Sequence, residues 1–237
     1  NSPPLIFLAK NINGGEFNYG GVLGTAVAKL PELNIGRTGL TETAAKEAGY
    51  DVVSVVTVVE DKAHYYPDSS FFITKMLADR DTKKLLGLQV LGKGAVDKMI
   101  DIAVTAITLG ATLEDIENMD LAYAPPFSTA IHPFTHTLNV LLNKISGNLN
   151  SITPYDFING KKEGYKIIDA SITPSLKGVP YIDLSKVNGE LPEYGKDEKL
   201  LLVCSKGKRA YMLQNRLKHF GYTNTLVLEG GTILNKV

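Results

Sequence analysis

Cys204 is the only cysteine of the 237-residue chain, and it stands in the run Leu200-Leu201-Leu202-Val203-Cys204-Ser205-Lys206-Gly207-Lys208-Arg209-Ala210. A strand that feeds a short loop and then a helix turns several backbone N–H groups toward one point, where the helix dipole also favours negative charge. Lys206, Lys208 and Arg209 add cations, and Gly207 lets the backbone turn tightly with no side chain in the way. All of these favour thiolate over thiol, and thiolate is the nucleophile. Four residues separate Cys204 from Arg209, so the loop encloses a small anion pocket. Two other segments place phenols in proline-braced loops: His64-Tyr65-Tyr66-Pro67 and Tyr123-Ala124-Pro125-Pro126-Phe127-Ser128. Proline fixes such a loop at little entropic cost, and a phenol can donate a hydrogen bond or a proton to a developing thiolate. The competing use of Tyr65, Tyr66 and Tyr123 is packing as interface aromatics. His132 and His136 lie four apart at a helix start, a spacing that can turn two imidazoles toward a metal. No third ligand accompanies them, and no metal is expected.

The elements that must hold these residues are readable. The β-branched run within Asp51–Val59 predicts a strand, followed by strands over Phe71–Leu77 and Leu85–Leu91 with a hairpin connection at residues 79–84, together an antiparallel meander. Val96, Met99, Ile100, Ala103, Val104 and Ile107 recur at helical spacing and predict a covering helix that Gly110 stops. Thr112 with Asp115 reads as a capping box, and Phe134, Leu138, Leu141, Leu142 and Ile145 mark a last helix ending at Gly147. The Gly92-Lys93-Gly94-Ala95 turn has the look of a phosphate-binding loop or of a tight strand-to-helix connection. Beyond residue 149, short apolar runs at Tyr165–Ile168, Leu200–Val203 and Thr225–Leu228 alternate with helical stretches and predict a small parallel sheet. Ala210, Leu213, Leu217 and Phe220 line one face of a helix that Gly221 ends, which puts Cys204 at a strand's carboxyl end. Glycine-rich residues 1–24 read as a connecting segment rather than a core element.

Bulk properties bound the function. The length suits two domains. Lys and Arg balance Asp and Glu at 25 each, so no one-signed field steers the chain to nucleic acid or to an acidic membrane, and a small molecule or a protein is the expected partner. One cysteine builds neither a disulfide framework nor a multi-thiolate metal site, and a cytoplasmic location is expected. No apolar run approaches the roughly 20 residues that span a bilayer, and the opening residues have no basic start of the signal-peptide kind, so the chain reads as entering from something upstream. The Lys161-Lys162 and Lys196–Lys199 clusters read as solvated faces, or as cations able to hold the phosphates of a ligand.

The Cys-x-x-Gly-x-Arg loop of Cys204 to Arg209 resembles the rhodanese family, whose cysteine carries transferable sulfur as a persulfide. Tyrosine-phosphatase loops place five residues before the arginine, and position 210 here is Ala. The resemblance covers about residues 151–237, including Ile167-Ile168-Asp169 and Leu228-Glu229-Gly230-Gly231. It implies that Cys204 is the persulfide carrier, that the amides of Ser205, Lys206, Gly207, Lys208 and Arg209 form its cradle, and that Arg209 is a loop-closing cation. The chain departs from the family at Ala170-Ser171, where many members have an Arg, and in the 34 residues between Asp169 and Cys204, too few for the usual helix and second strand.

Thr25, Arg37-Thr38-Gly39-Leu40-Thr41-Glu42, Gly87-Leu88-Gln89 and the stretch from Gly110 to Ser128 are similar to the dimerisation domain of pyridine nucleotide-disulfide oxidoreductases. The Tyr-Ala-Pro-Pro-Phe-Ser form is most like the coenzyme A-disulfide reductase and persulfide reductase branch. The resemblance implies an α+β dimerisation domain, an antiparallel sheet with helices, at residues 17–149. A small α/β rhodanese-like domain with a parallel sheet would follow at 150–237, and residues 1–16 would be the tail of an upstream flavin-binding domain or a linker. It implies a homodimer whose parent uses FAD and NAD(P)H on a coenzyme A-type thiol, disulfide or persulfide. Tyr123 and one of Tyr65 or Tyr66 would reach the partner's flavin and thiol site. No Gly-x-Gly-x-x-Gly turn is present, so no flavin or nicotinamide is expected on this chain alone. The other reading is a non-catalytic dimerisation scaffold with a rhodanese-like domain that only binds or positions a partner.

Overall fold

In a computed structural model describing residues 3–237, helix α1 (Pro3–Ile12) opens the chain. The sequence pattern predicts a connecting segment here. The helix escapes that reading because Leu5, Ile6, Leu8 and Ile12 are exposed on it and mark no core face. Asn11 closes the turn that follows, its side chain donating to Phe17 O at 2.9 Å and accepting from Phe17 N–H at 2.8 Å.

Five strands make the first sheet: β1 (Ala26–Lys29), β2 (Asn34–Gly39), β3 (Val52–Glu60), β4 (Phe71–Asp79) and β5 (Leu85–Gly92). Their order is β1-β2-β5-β4-β3, and every neighbouring pair is antiparallel. The predicted meander is β3 to β5. The strands it omits, β1 and β2, hold four exposed residues and a Gly-interrupted run, so their own composition carries no strand signal. They form because β2 pairs along β5 from Asn34↔Gly92 to Gly39↔Gly87. A short α2 (Glu42–Glu47), capped by the Thr41 hydroxyl, joins β2 to β3.

Helix α3 (Val96–Leu109) covers the sheet with Val96, Met99, Ile100, Ala103 and Ala106 buried, and Gly110 ends it at φ 65°. Gly36 permits the close approach, since a Cβ there would sit 2.6 Å from Ile100 Cγ1. The capping box of Thr112 and Asp115 opens α4 (Leu113–Glu117). Phe134, Leu138 and Leu141 of α5 (Pro133–Ile145) complete a core with Met76, Leu88 and Ile116. Each such side chain contributes roughly 1.5–3 kcal/mol by leaving water.

The second sheet contains β6 (Ser151–Ile152), β7 (Lys166–Asp169), β8 (Leu200–Val203) and β9 (Thr225–Leu228), ordered β6-β9-β8-β7 and parallel throughout. Around it run α6 (Pro154–Ile158), α7 (Lys208–His219) and α8 (Gly231–Leu234). Between β7 and β8 the chain makes one 3-10 turn at Leu184–Lys186 and a single bridge from Asp169 to Tyr181. The fold is thus an antiparallel sheet with helices followed by a smaller parallel α/β unit. No helix among the described residues is long and apolar enough to cross a membrane.

Candidate functional site

All four residues of β8 are buried between two flanking strands, so the strand ends in a fixed place and Cys204 follows directly from it. The carboxyl ends of parallel strands, where helices begin, are the usual position for ligands in open α/β sheets. Cys204 is 2% exposed, and its Sγ accepts the Gly207 N–H at 3.2 Å. Gly207 takes φ 93° as the N-cap of α7 and offers no capping side chain, which leaves the first turn's N–H groups free to face a ligand. Among the described residues, no protein acceptor takes the amides of Ser205, Lys206, Lys208 or Arg209. The loop therefore holds one amide on sulfur and four unpaired amides next to it, a set that can hold a second, negatively charged sulfur.

The cationic side chains are arranged differently from a simple ring around the thiol. Arg209 Nε donates to Ala170 O at 3.1 Å, and its guanidinium lies 3.7 Å from Asp183, so it ties the start of α7 to the end of β7. Lys206 is paired with Glu60 and lies 4.4 Å from the centroid of the Phe71 ring. Lys208 is exposed. Asp169, fully buried, accepts from the amides of Ser171, Ser175 and Leu176 and fixes the turn beside the cysteine loop. Burial alone would raise its carboxyl, and these hydrogen bonds hold it below the usual range. On the other side, Thr232 and Ile233 amides donate to Cys204 O and Ser205 O at 3.0 and 3.1 Å.

The two phenol loops lie together. Ala63 N–H donates to Pro125 O at 3.3 Å, joining the loop of Tyr65 and Tyr66 to that of Tyr123. Tyr65 stacks with Tyr66 at 5.2 Å between ring centroids, and Tyr65 and Tyr123 are both more than half exposed, as are Phe127 and Ile131. Glu60 and Phe71, which hold Lys206, are the residues that begin and end the Tyr65–Tyr66 connection.

Other singled-out residues have local roles. His132 Nδ1 accepts the Phe134 N–H as the cap of α5, leaving the proton of the neutral ring on Nε2. Burial, aided by Lys98, pushes His132 down to about 4. Burial and Lys208 lower His136. The Gly92–Ala95 turn is a tight connection: Asn34 Nδ2 donates to Lys93 O and Gly94 O, and a Cβ on Gly94 would stand 2.6 Å from Asp61 Oδ2. Lys161 pairs with Asp156 and Lys196 with Glu190. Lys196–Lys199 precede β8 and so lie at the opposite end of the strand from Cys204. Glu229, Lys144 and Glu60 are not marked in the sequence as functional partners. Their partners stand 173, 85 and 146 residues away along the chain, so no local spacing signals them.

Residues 25–134 match the family model described as pyridine nucleotide-disulphide oxidoreductase, dimerisation domain. The chain is 42% identical over 131 residues to an NAD(P)H sulfur oxidoreductase (CoA-dependent) of Pyrococcus furiosus, a match covering 55% of this chain and 29% of that protein. A coenzyme A disulfide reductase of Staphylococcus epidermidis is 30% identical over 129 residues, covering 53% and 28%. Among solved structures, a NAD-dependent persulfide reductase from A. fulgidus superposes with a TM-score of 0.85 at 32% identity. The reduced Bacillus anthracis CoADR-RHD does so with 0.86 at 30%, and each covers 96% of this chain but 42% of the other. The chain therefore spans less than half the length of these relatives. Residues 25–134 are thus similar to a pyridine nucleotide-disulphide oxidoreductase dimerisation domain, and in this chain a parallel α/β unit with Cys204 at its strand ends follows them.

Proposed function

We propose that this chain is the dimer-forming, sulfur-carrying half of an FAD- and NAD(P)H-dependent reductase of coenzyme A-type disulfides, persulfides or polysulfides. Its rhodanese-like domain would carry sulfane sulfur as a Cys204 persulfide. The carrying observation is the Sγ of Cys204 under the N–H of Gly207, beside four unpaired amides at the uncapped start of α7. In the loading step the Cys204 thiolate attacks the outer sulfur of a donor persulfide R–S–SH. A Cys204 S–S bond forms, the donor S–S bond breaks, and the thiolate RS⁻ leaves with its electron pair. The proton of the transferred sulfur passes to the departing RS⁻, which leaves as RSH, and the free amides stabilise the terminal sulfur as an anion.

The division at residues 17–149 and 150–237 suits the two sheets. Tyr123 with Tyr65 or Tyr66 would meet the partner subunit's reductase site, a role for which the exposure of Tyr123 and Tyr65 and the Ala63–Pro125 tie speak. The loop after β8 is Cys-Ser-Lys-Gly-Lys-Arg, which lacks the glycines that let a backbone approach a dinucleotide pyrophosphate. That loop does not fit the pyrophosphate of flavin or nicotinamide, and in this reading both would be held by upstream domains of the parent. The scaffold alternative draws on the burial of Cys204 and on the engagement of Lys206 and Arg209 elsewhere.

Intact-mass spectrometry after incubation with coenzyme A persulfide or thiosulfate, with a Cys204→Ser control, tests the reading. Gain of one reducible sulfur atom that requires Cys204 is the expected result. No gain from either donor favours the scaffold.

A further inference from the structure

Where the two units meet, the carboxylate of Glu229 is 4% exposed and takes three donors. Val56 N–H donates to Oε2 at 2.7 Å, while Lys144 Nζ at 2.7 Å and Ser151 Oγ at 2.6 Å donate to Oε1. Lys144 Nζ also donates to Ser54 O at 2.9 Å. Ser54 and Val56 lie two apart on β3, so the Lys144–Glu229 pair meets a carbonyl and an amide of that strand much as a neighbouring peptide group would. Glu229 continues into Gly230-Gly231, and the two amides that follow, Thr232 and Ile233, grip Cys204 O and Ser205 O. A span of five residues thus connects β3 to the backbone of the cysteine. Lys206 makes a second connection through Glu60 and the face of Phe71, at the two ends of the Tyr65–Tyr66 loop.

We infer that Glu229 and Lys206 are positioning residues that dock the cysteine loop on the first unit, at the base of the Tyr65–Tyr66 loop, so that Cys204 works from one fixed place. The docking stands on the contacts alone, and its bearing on sulfur transfer rests on the function proposed above. A desolvated carboxylate whose charge is removed leaves Lys144 unpaired, whereas a part-exposed ion pair contributes little. Glu229 is therefore the stronger clamp and Lys206 the weaker.

The test uses the full 237-residue chain with Glu229→Gln, Lys206→Met and Lys206→Arg. Amide hydrogen exchange of Val56 is read by NMR against Leu88, an amide of the first core, and iodoacetamide alkylation of Cys204 is timed. In Glu229→Gln, Val56 exchange is expected to speed about tenfold, equivalent to about 1.4 kcal/mol, with Leu88 unchanged and Cys204 alkylated faster. In Lys206→Met, alkylation is expected to rise about two- to threefold, with Lys206→Arg restoring the original rate. Unchanged Val56 exchange in Glu229→Gln, or exchange raised equally at Leu88, overturns the clamp. If Glu229→Gln does not fold, the Lys206 pair decides, and equal alkylation of Lys206→Met and the unaltered chain overturns the docking. These readouts need no sulfur donor, so failure of Cys204 to take up sulfur would count against the proposed function and leave the docking result intact.

Discussion

Replacing Gly231 with Ala should dislodge the cysteine loop through its backbone. Gly231 takes φ 52°, and a Cβ there would stand 2.0 Å from Cys204 O and 2.5 Å from the Ser205 carbonyl carbon and oxygen. An L-residue in this left-handed region costs about 1–2 kcal/mol. The blocking atoms are main chain and cannot swing aside, so the displacement adds about 1–3 kcal/mol of the kind measured for overpacked cores. The sum is about 2–5 kcal/mol, or a fall in thermal midpoint of about 4–20 °C for a chain of this length. Gly164→Ala supplies the control, because Gly164 has φ 79° with nothing within 4 Å of its added Cβ. That variant carries the dihedral cost alone, about 1–2 kcal/mol. Thermal and urea unfolding would be compared for the two, together with the alkylation rate of Cys204, which is expected to rise only in Gly231→Ala. Equal destabilisation of the two variants, with Cys204 equally slow in both, would refute the argument that the Gly230-Gly231 turn seats the cysteine.

Three other outcomes follow from the geometry. Burial alone would raise Glu42, but hydrogen bonds from Lys46, Lys75 and Ser54 hold it at about 2. Its folded value lies below the ordinary 4.5, so its stabilisation is present above pH 4.5 and is lost as pH falls toward 2. Glu42→Gln should cost about 1–2 kcal/mol at pH 7, after discounting for its exposed partner Lys46, and should flatten the urea-denaturation profile across that window. His132 is held at about 4 against an ordinary 6.5. The unfolded chain therefore binds the proton first, and stability declines as pH drops from 6.5 toward 4. His132→Gln should remove that slope, and a slope that persists would assign it to another group. Thr112→Ala breaks the capping box of α4 and should cost about 1 kcal/mol in chemical denaturation.

What was legible in the sequence is what short-range periodicity encodes. The β-branched run of β3, the helical recurrence from Val96 to Ala106 and the strand-loop-helix around Cys204 each carry their own signal over a few turns or strand steps. Strands β1 and β2 carry none, since their pairing with β5 and not their composition makes them strands. At the site, the sequence supplies the loop and its glycine but not the direction of its cations. Lys206 points to Glu60 and Arg209 to Ala170, choices set by the packing of one unit on another. The group around Glu229 was invisible for the same reason, because it exists only once residues far apart along the chain have met.

The last strand of the first sheet has a consequence for truncation. β3 lies at one end of its sheet and reads Val-Val-Ser-Val-Val-Thr-Val-Val-Glu, a long, nearly uncharged margin of the kind that recruits further strands from other molecules. Glu229 and Lys144 occupy its free N–H and C=O at Val56 and Ser54, so the second unit acts as a guard on that margin. A chain cut after residue 149 would keep Lys144 but lose Glu229, and self-association through β3 is the failure to expect of it.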